Sequence, residues 1–227
     1  MDRVGIRESR QNASEYVRRA ESGEVIEATR DDDYFEIPRL AVTRVSIVRL
    51  KRAATNELTD PEIQAIRELL VDAFGTNEEE RFEEDDWRHA IGGLHFVLES
   101  DAAIVAHASV IQRELHVEGR PLRTGYVEAV ATAREHQGTG LGSIVMRDVG
   151  SYIRDHFELG ALGTGSHRFY ERLGWMTWRG PSSVRTATGL RQTPDDDGYV
   201  LVLPTPTSPS LDLAASISCE WRPGDVW

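Results

Sequence analysis

The chain reads as an α+β protein, a mixed sheet flanked by helices with a small βαβ extension at its N-terminus. Three observations predict this. The apolar patterns run strand, two helices, three strands, helix, strand, helix and two strands. A Gly-rich turn, Gln137-Gly138-Thr139-Gly140-Leu141-Gly142, joins the β-branched run Tyr126–Thr132 to a helix. An acidic run ending in proline, from Asp31 to Pro38, separates the first block from everything after it. We therefore divide the chain into 1–38 and 39–227.

Within the first block, Val4–Arg7 is a short strand, and Ser9 caps a helix from Arg10 to Glu21 with Tyr16, Val17 and Ala20 on one side. Ser22-Gly23-Glu24 turns the chain into the strand Val25–Thr29. Past the boundary, Val45–Leu50 alternates as a strand. Thr59-Asp60-Pro61-Glu62 is a helix start: a capping side chain, proline in the first turn and acids favoured by the dipole. Ile63, Ile66, Leu69, Leu70 and Phe74 recur at helical spacing until Gly75. Asn77–Glu84 is polar and acidic, hence a loop, and Asp85–Ala90 is a short helix stopped by Gly92-Gly93. Strands follow at Leu94–Glu99 and Ala103–Leu115, and the turn Glu118–Pro121 leads to the central strand Tyr126–Thr132. The helix Gly140–His156, a short strand at Ala161-Leu162, the helix Ser166–Leu173 and strands at Trp175–Arg179 and Tyr199–Leu203 complete the core.

Composition bounds what such a chain does. With 227 residues it can bury one good core and an appendage. No run is long and apolar enough to cross a membrane, and no apolar signal core opens the chain, so a cytoplasmic location is the default expectation. Cys219 is the only cysteine, which excludes an internal disulfide and a cysteine metal cluster. The seven histidines lack metal-ligand spacing; His95 and His107 fall on apolar strands as core residues, and no metal is expected. A formal net charge of -12 opposes nucleic-acid binding and suits a cationic partner, although acidity also serves solubility alone.

The Gly-rich turn carries the first chemical signal. A helix N-terminus presents N–H groups without helical acceptors, the dipole adds partial positive charge, and glycine lets a phosphate approach the backbone. No Lys-Ser/Thr follows the last glycine, so a nucleoside-triphosphate loop is disfavoured. The pattern Gln-x-x-Gly-x-Gly after a strand resembles the acetyl-CoA pyrophosphate loop of the GNAT N-acetyltransferases, and Ser166–Trp175 (SHRFYERLGW) resembles their following helix. That resemblance implies a central splayed sheet and acetyl-CoA as co-substrate. It places the cofactor at Ala129, Val130, Thr132, Gln137, Gly138, Thr139, Gly140, Leu141, Gly142 and Ser143.

Closer blocks extend it. GGLHFVLESDAAIVAHASVIQREL, LRTGYVEAVA, LGALGTGSHRFYERLGW, RGPSSV, TPDDDGYVLVLP and the terminus CEWRPGDVW are similar to aminoglycoside 2'-N-acetyltransferases, from about Val45 to Trp227. The resemblance implies Glu128 as the base at the reacting amine, Tyr170 as the acid for the leaving thiolate, and the Val130 N–H as donor to the thioester carbonyl. Asp86, Glu128, Asp196, Asp197, Asp225 and the carboxylate of Trp227 are the implied aminoglycoside contacts. The alternative for Pro194–Gly198 is a solvated turn, for Glu128 a solvent-facing strand residue, and for Tyr170 core packing. Arg81 stands where relatives often carry an acid, and Gly163-Thr164-Gly165 replaces a Ser-rich stretch. Trp221 and Trp227 so close to the end imply a docked terminus.

The first block, VGIRESRQNASEYVRRAESGEVIEATR, resembles prevent-host-death/YefM-type antitoxins, which pair with themselves and contact DNA. Its usual basic turn is replaced by Asp31-Asp32-Asp33, which repels phosphate, so a homodimer is expected and DNA binding is not. Two other functions stay open at this point: a GNAT enzyme for a polyamine, peptide or protein lysine, and an antitoxin-like regulator.

Overall fold

In the computed structural model, residues 2–5, 26–29, 48–75 and 82–227 are described. The chain forms two compact units, Met1–Ser46 and Ile47–Trp227. In the first, β1 (Asp2–Gly5) and β2 (Ile26–Thr29) pair in parallel, with Asp2 opposite Ile26 and Gly5 opposite Thr29. The helix expected over Arg10–Glu21 and the acidic boundary at Asp31–Pro38 lie outside the described residues.

In the second unit the first described strand is β3 (Val48–Ala54), which takes up the end of the strand that the sequence pattern places over Val45–Leu50. Helix α1 (Asp60–Phe74) starts as its sequence dictates: Thr59 accepts from the Glu62 N–H while the Glu62 carboxylate accepts from the Thr59 N–H. Its apolar stripe buries Ile66, Leu69 and Leu70, each contributing roughly 1.5–3 kcal/mol. It ends at Gly75, whose φ of 82° a glycine adopts without steric cost. After α2 (Glu84–Ala90) come β4 (Leu94–Ser100), β5 (Ala103–Val117) and β6 (Arg120–Thr132). Then follow α3 (Leu141–His156), β7 (Leu159–Gly163), α4 (His167–Glu171), β8 (Met176–Thr177), β9 (Ser182–Thr186), β10 (Gly189–Gln192), β11 (Val200–Pro204) and β12 (Ile217–Glu220).

One mixed sheet runs β10-β9-β12-β5-β6-β7-β11-β8, with β4 pairing the first half of β5 and β3 pairing β4. Strands β9, β10 and β12 are absent from the sequence reading. They are short, and Gly189–Gln192 is exposed along its whole length, so neither alternation nor an apolar run marks it. The feature that positions the site is a parting of strands. Parallel β6 and β7 pair only from Thr124↔Leu159 to Tyr126↔Ala161. Beyond Tyr126 the second half of β6 has no β7 partner, and the sheet splays there. Helix α3 packs Val145, Met146, Val149 and Ile153 into the main core beside Phe96, Val127 and Leu201. No helix among the described residues is long and apolar enough to cross a membrane.

Candidate active site

The splay is widened by a β-bulge. His107 on β5 faces Ala131 on β6, but Ser109 faces Glu128, so two steps on β5 match three on β6. The extra residue strains the backbone at Ala129, a non-glycine residue at φ 50°. Residues Tyr126 to Thr132 form one wall of a cleft of about 1310 Å³, and Leu162 to Ser166 with Phe169 and Tyr170 form the other. Ala129, Val130 and Thr132, assigned to the cofactor from sequence, all line it.

One end of the cleft is built for an anion. The Gln137 side chain donates to the Thr132 carbonyl at 3.2 Å and ties the turn to the strand. Gly138 and Gly140 lie at φ 75° and 93°, and a Cβ on either would meet nothing within 4 Å. The cradle is therefore open on that side. The first α3 hydrogen bond is Ile144 N–H to the Gly140 carbonyl, so Leu141, Gly142 and Ser143 present N–H groups with no acceptor in the helix. Gly142 is needed for close packing, since a Cβ there would stand 2.7 Å from Thr132 Oγ1. Arg147 and Arg172 also line the cleft. Two of the residues assigned to the cofactor, Thr139 and Leu141, are not in the cleft lining. The Thr139 N–H and hydroxyl both bond the His136 carbonyl, so Thr139 shapes the turn instead of facing the cleft. The Leu141 side chain packs against the main core, leaving only its N–H for a ligand.

The other end is acidic. Asp86, Glu128, Asp225 and Trp227 all line it. Asp86 already accepts from the Glu83 N–H at 2.7 Å, which caps α2 and fixes its carboxylate. Glu128 is not solvent-facing: its side chain keeps 15% of its exposure and accepts from Arg222 Nη1 at 2.6 Å. Arg222 also donates from Nε to the Asp225 carbonyl at 2.7 Å and lies 5.6 Å from the Tyr126 ring centroid. It thus couples the candidate base to the chain end. The sequence reading missed Arg222, because nothing in WRPGDVW says that its partner lies on β6.

The terminus is docked, with one indole and not two. Trp227 is buried, and its Nε1–H donates to Thr193 Oγ1 at 3.0 Å. Trp221, expected to be buried with it, is 56% exposed. A methyl group at Gly163 would stand 3.2 Å from the terminal carboxyl carbon, so glycine at this position makes room for the carboxylate. The Pro194–Gly198 acids divide. Asp197 does not line the cleft: its Oδ1 accepts from the Ser182 N–H and hydroxyl at 2.7 and 2.8 Å and fastens the turn. Asp196 stands beside the lining without joining it, its carboxyl raised by burial and by the neighbouring charge of Asp225. Arg81 lies outside the described residues, and Glu84 is paired with Arg67.

Tyr170 packs edge-on against Phe169 and Trp175 while lining the cleft, and burial pushes its hydroxyl well above the ordinary value. It therefore keeps its proton and can give one. Cys219 is buried, its thiol pushed up to about 11 by desolvation, and is no nucleophile at neutral pH. No group of described residues is spaced to hold a metal. Behind the bulge, His107 Nδ1 lies 2.8 Å from the Ala129 carbonyl and His107 Nε2 2.9 Å from His95 Nδ1. Burial lowers His95 to about 4 and His107 to about 3.

These depressed values make a stability prediction. Both rings stay neutral in the folded chain and charge near pH 6.5 when unfolded, so the unfolded state gains protons first as pH falls. Stability present above pH 6.5 is lost on acidification, on the order of 2 kcal/mol per histidine by pH 5. Denaturant unfolding at pH 8 and pH 5 measures it; a total loss below about 1 kcal/mol would mean the histidines charge in the folded protein.

A mixed sheet splayed beside a bulge, with an amide-lined anion cradle opening the next helix, defines a class of acyl-transferring proteins. The family described as Acetyltransferase (GNAT) domain matches residues 54–177, and the chain belongs to it. Over 177 residues, 76% of this chain and 89% of the relative, it is 40% identical to an aminoglycoside 2'-N-acetyltransferase of Mycolicibacterium fortuitum. The fold is shared with the GNAT acetyltransferase YhbS of Escherichia coli, solved with CoA (TM-score 0.51, 14% identity, 78% of this chain and 89% of that one). It is shared also with a GNAT acetyltransferase of Brucella melitensis solved with acetyl-CoA (TM-score 0.50, 18% identity, 73% and 94%).

Proposed function

We propose that this chain moves an acetyl group from acetyl-CoA to the 2'-amine of aminoglycosides. The observation that carries the proposal is that one cleft holds both an amide cradle and a set of carboxylates: the glycine turn at Gln137–Ser143, and Asp86, Glu128, Asp225 and Trp227. The 40% identical relative names the amine. The glycine cradle fits a pyrophosphate, because its open side leaves space and its helix N-terminus supplies donors and partial charge. Acetyl-CoA, bound there, supplies the activated acetyl thioester.

The chain's own residues do the rest. A polycationic sugar is drawn to Asp86, Asp225 and the terminal carboxylate, which pair with its ammonium groups. Glu128 takes the proton from the reacting ammonium, directly or through one water, once the substrate competes with Arg222 for its oxygens. The Val130 N–H, next to the strained bulge, polarises a carbonyl oxygen in the splay. The Tyr170 hydroxyl gives a proton to the departing sulfur. Attack is direct: the cysteine, Cys219, is buried outside the cleft lining with its thiol pushed up to about 11, so the amine itself meets the thioester. The reading includes self-association through the N-terminal segment 1–38, which is dispensable for transfer.

Regiospecificity tests it. Thiol release from acetyl-CoA is expected with aminoglycosides carrying a 2'-amine and not with those carrying a 2'-hydroxyl, and the acetyl group should map to the 2' nitrogen. Acetyl on another ring nitrogen, or equal rates with polyamines or lysine peptides, would replace this reading with that of another amine acetyltransferase.

A further inference from the structure

We propose that His107 and His95 are positioning residues for acetyl transfer, holding the Ala129 carbonyl and thereby the two residues on either side of it, Glu128 and Val130. The proposal rests on the functional reading above for the roles of those two residues.

The bulge creates a problem of hydrogen bonding. An extra residue on one strand has no ladder partner, and a buried carbonyl left unpaired costs free energy. Here the partner is a side chain from the next strand. His107 Nδ1 lies 2.8 Å from the Ala129 carbonyl oxygen. A carbonyl only accepts, so His107 donates from Nδ1. As a neutral ring it must then accept at Nε2, and the group 2.9 Å away is His95 Nδ1, which therefore donates. His95 accepts in turn at Nε2 from the Thr55 hydroxyl at 2.8 Å, and Thr55 Oγ1 accepts from the Gly92 N–H at 2.9 Å. Each ring nitrogen's role follows from the one before, and the Thr55 hydroxyl has His95 Nε2 as its nearer acceptor, with the Gly93 carbonyl at 3.4 Å. The chain Gly92, Thr55, His95, His107, Ala129 runs one way and fixes both tautomers.

This order decides between two uses of paired histidines. A proton relay needs an end that can gain and lose a proton, and an amide carbonyl does neither near neutral pH. The chain is therefore a clamp. Ala129 sits at φ 50°, a conformation that a residue with a Cβ keeps only when its surroundings hold it. Both rings are essentially inaccessible, at 0% and 1% exposure, so water does not compete for these bonds. Charging His107 would add a proton at Nε2, place N–H against N–H across 2.9 Å and break the chain, whereas charging His95 would turn its Nε2 into a donor toward the Thr55 hydroxyl.

Nitrogen-15 spectroscopy of the full-length protein at pH 7 tests the clamp without substrate: both rings should be Nδ1–H tautomers with Nε2 unprotonated. An Nε2–H tautomer at either ring overturns the proposal. Steady-state kinetics test the link to chemistry. His107→Leu removes the donor and should lower kcat about tenfold or more, with KM for acetyl-CoA within about threefold of wild type. His107→Asn places an amide N–H near the lost Nδ1 and should restore kcat to within about threefold, although it too has lost His95 and melts lower. Wild-type kcat in the leucine variant, or equal loss in both, would reduce the pair to core packing. Faster exchange of the Val130 amide in the leucine variant is expected, and unchanged exchange also counts against the clamp. Should the leucine variant not fold, the tautomers and the asparagine variant decide. The tautomers need no substrate, so their failure is distinct from a wild-type protein that does not acetylate aminoglycosides.

Discussion

Replacing Glu128 with glutamine should lower turnover on the order of 10²-fold or more, because the amide cannot take the ammonium proton. The substitution is a fair probe of chemistry. Glutamine keeps an oxygen at the position that accepts from Arg222 Nη1, so the tie between β6 and the chain end can survive. Acetyl-CoA binding should be nearly unchanged, since its cradle lies at Gln137–Ser143 while the Glu128 carboxylate bonds Arg222. Turnover within about threefold of wild type would mean that Arg222 holds Glu128 as a structural partner and that the base lies elsewhere.

Removing Asp225–Trp227 should weaken aminoglycoside binding by at least about two orders of magnitude. Two anionic groups are lost from the cleft, each contributing roughly 1.5–3 kcal/mol as a charge-assisted hydrogen bond. Arg222 also loses the Asp225 carbonyl that holds its Nε, which frees the guanidinium to compete for Glu128. A new carboxylate ends the chain at Gly224, but it no longer lies against Gly163. The truncated protein should melt lower as well, because Trp227 fills a buried site and bonds Thr193. Calorimetric titration of both ligands into the folded variant separates substrate recognition from capping. Loss for the aminoglycoside alone supports the role proposed here; equal losses for both ligands, or none for either, defeat it. Extending the chain past Trp227 should weaken sugar binding less, and measurably.

Much of the site was legible in sequence because its parts are local. Turn and helix N-terminus sit within Gln137–Ser143, and the φ values of Gly138 and Gly140 are those that two glycines permit. The Thr59–Glu62 capping box was legible for the same reason, since donor and acceptor lie three residues apart. The roles of Asp196 and Asp197 were not legible. Neighbours in a polar turn look alike, yet Asp197 bonds Ser182 while Asp196 is partly buried and bonds Thr193. Trp221 and Trp227 mislead in the same way: both read as indoles seeking burial, and only Trp227 finds a pocket.

The sequence by itself determined the fold class, the anion cradle, the position of the candidate base on the central strand and the docking of the terminus. The first two follow from periodicity, glycine and capping in short stretches of chain; the role of Glu128 follows from the family resemblance, and the docked terminus from its tryptophans. Tertiary structure alone decided that Arg222 pairs with Glu128 across 94 residues of chain, and that Gly163 admits the terminal carboxylate. It alone decided that two histidines from neighbouring strands meet behind Ala129. Those partners are chosen by strand register and by the one-residue bulge between Ser109 and His107, and a register shift of one residue turns a side chain to the opposite face of the sheet.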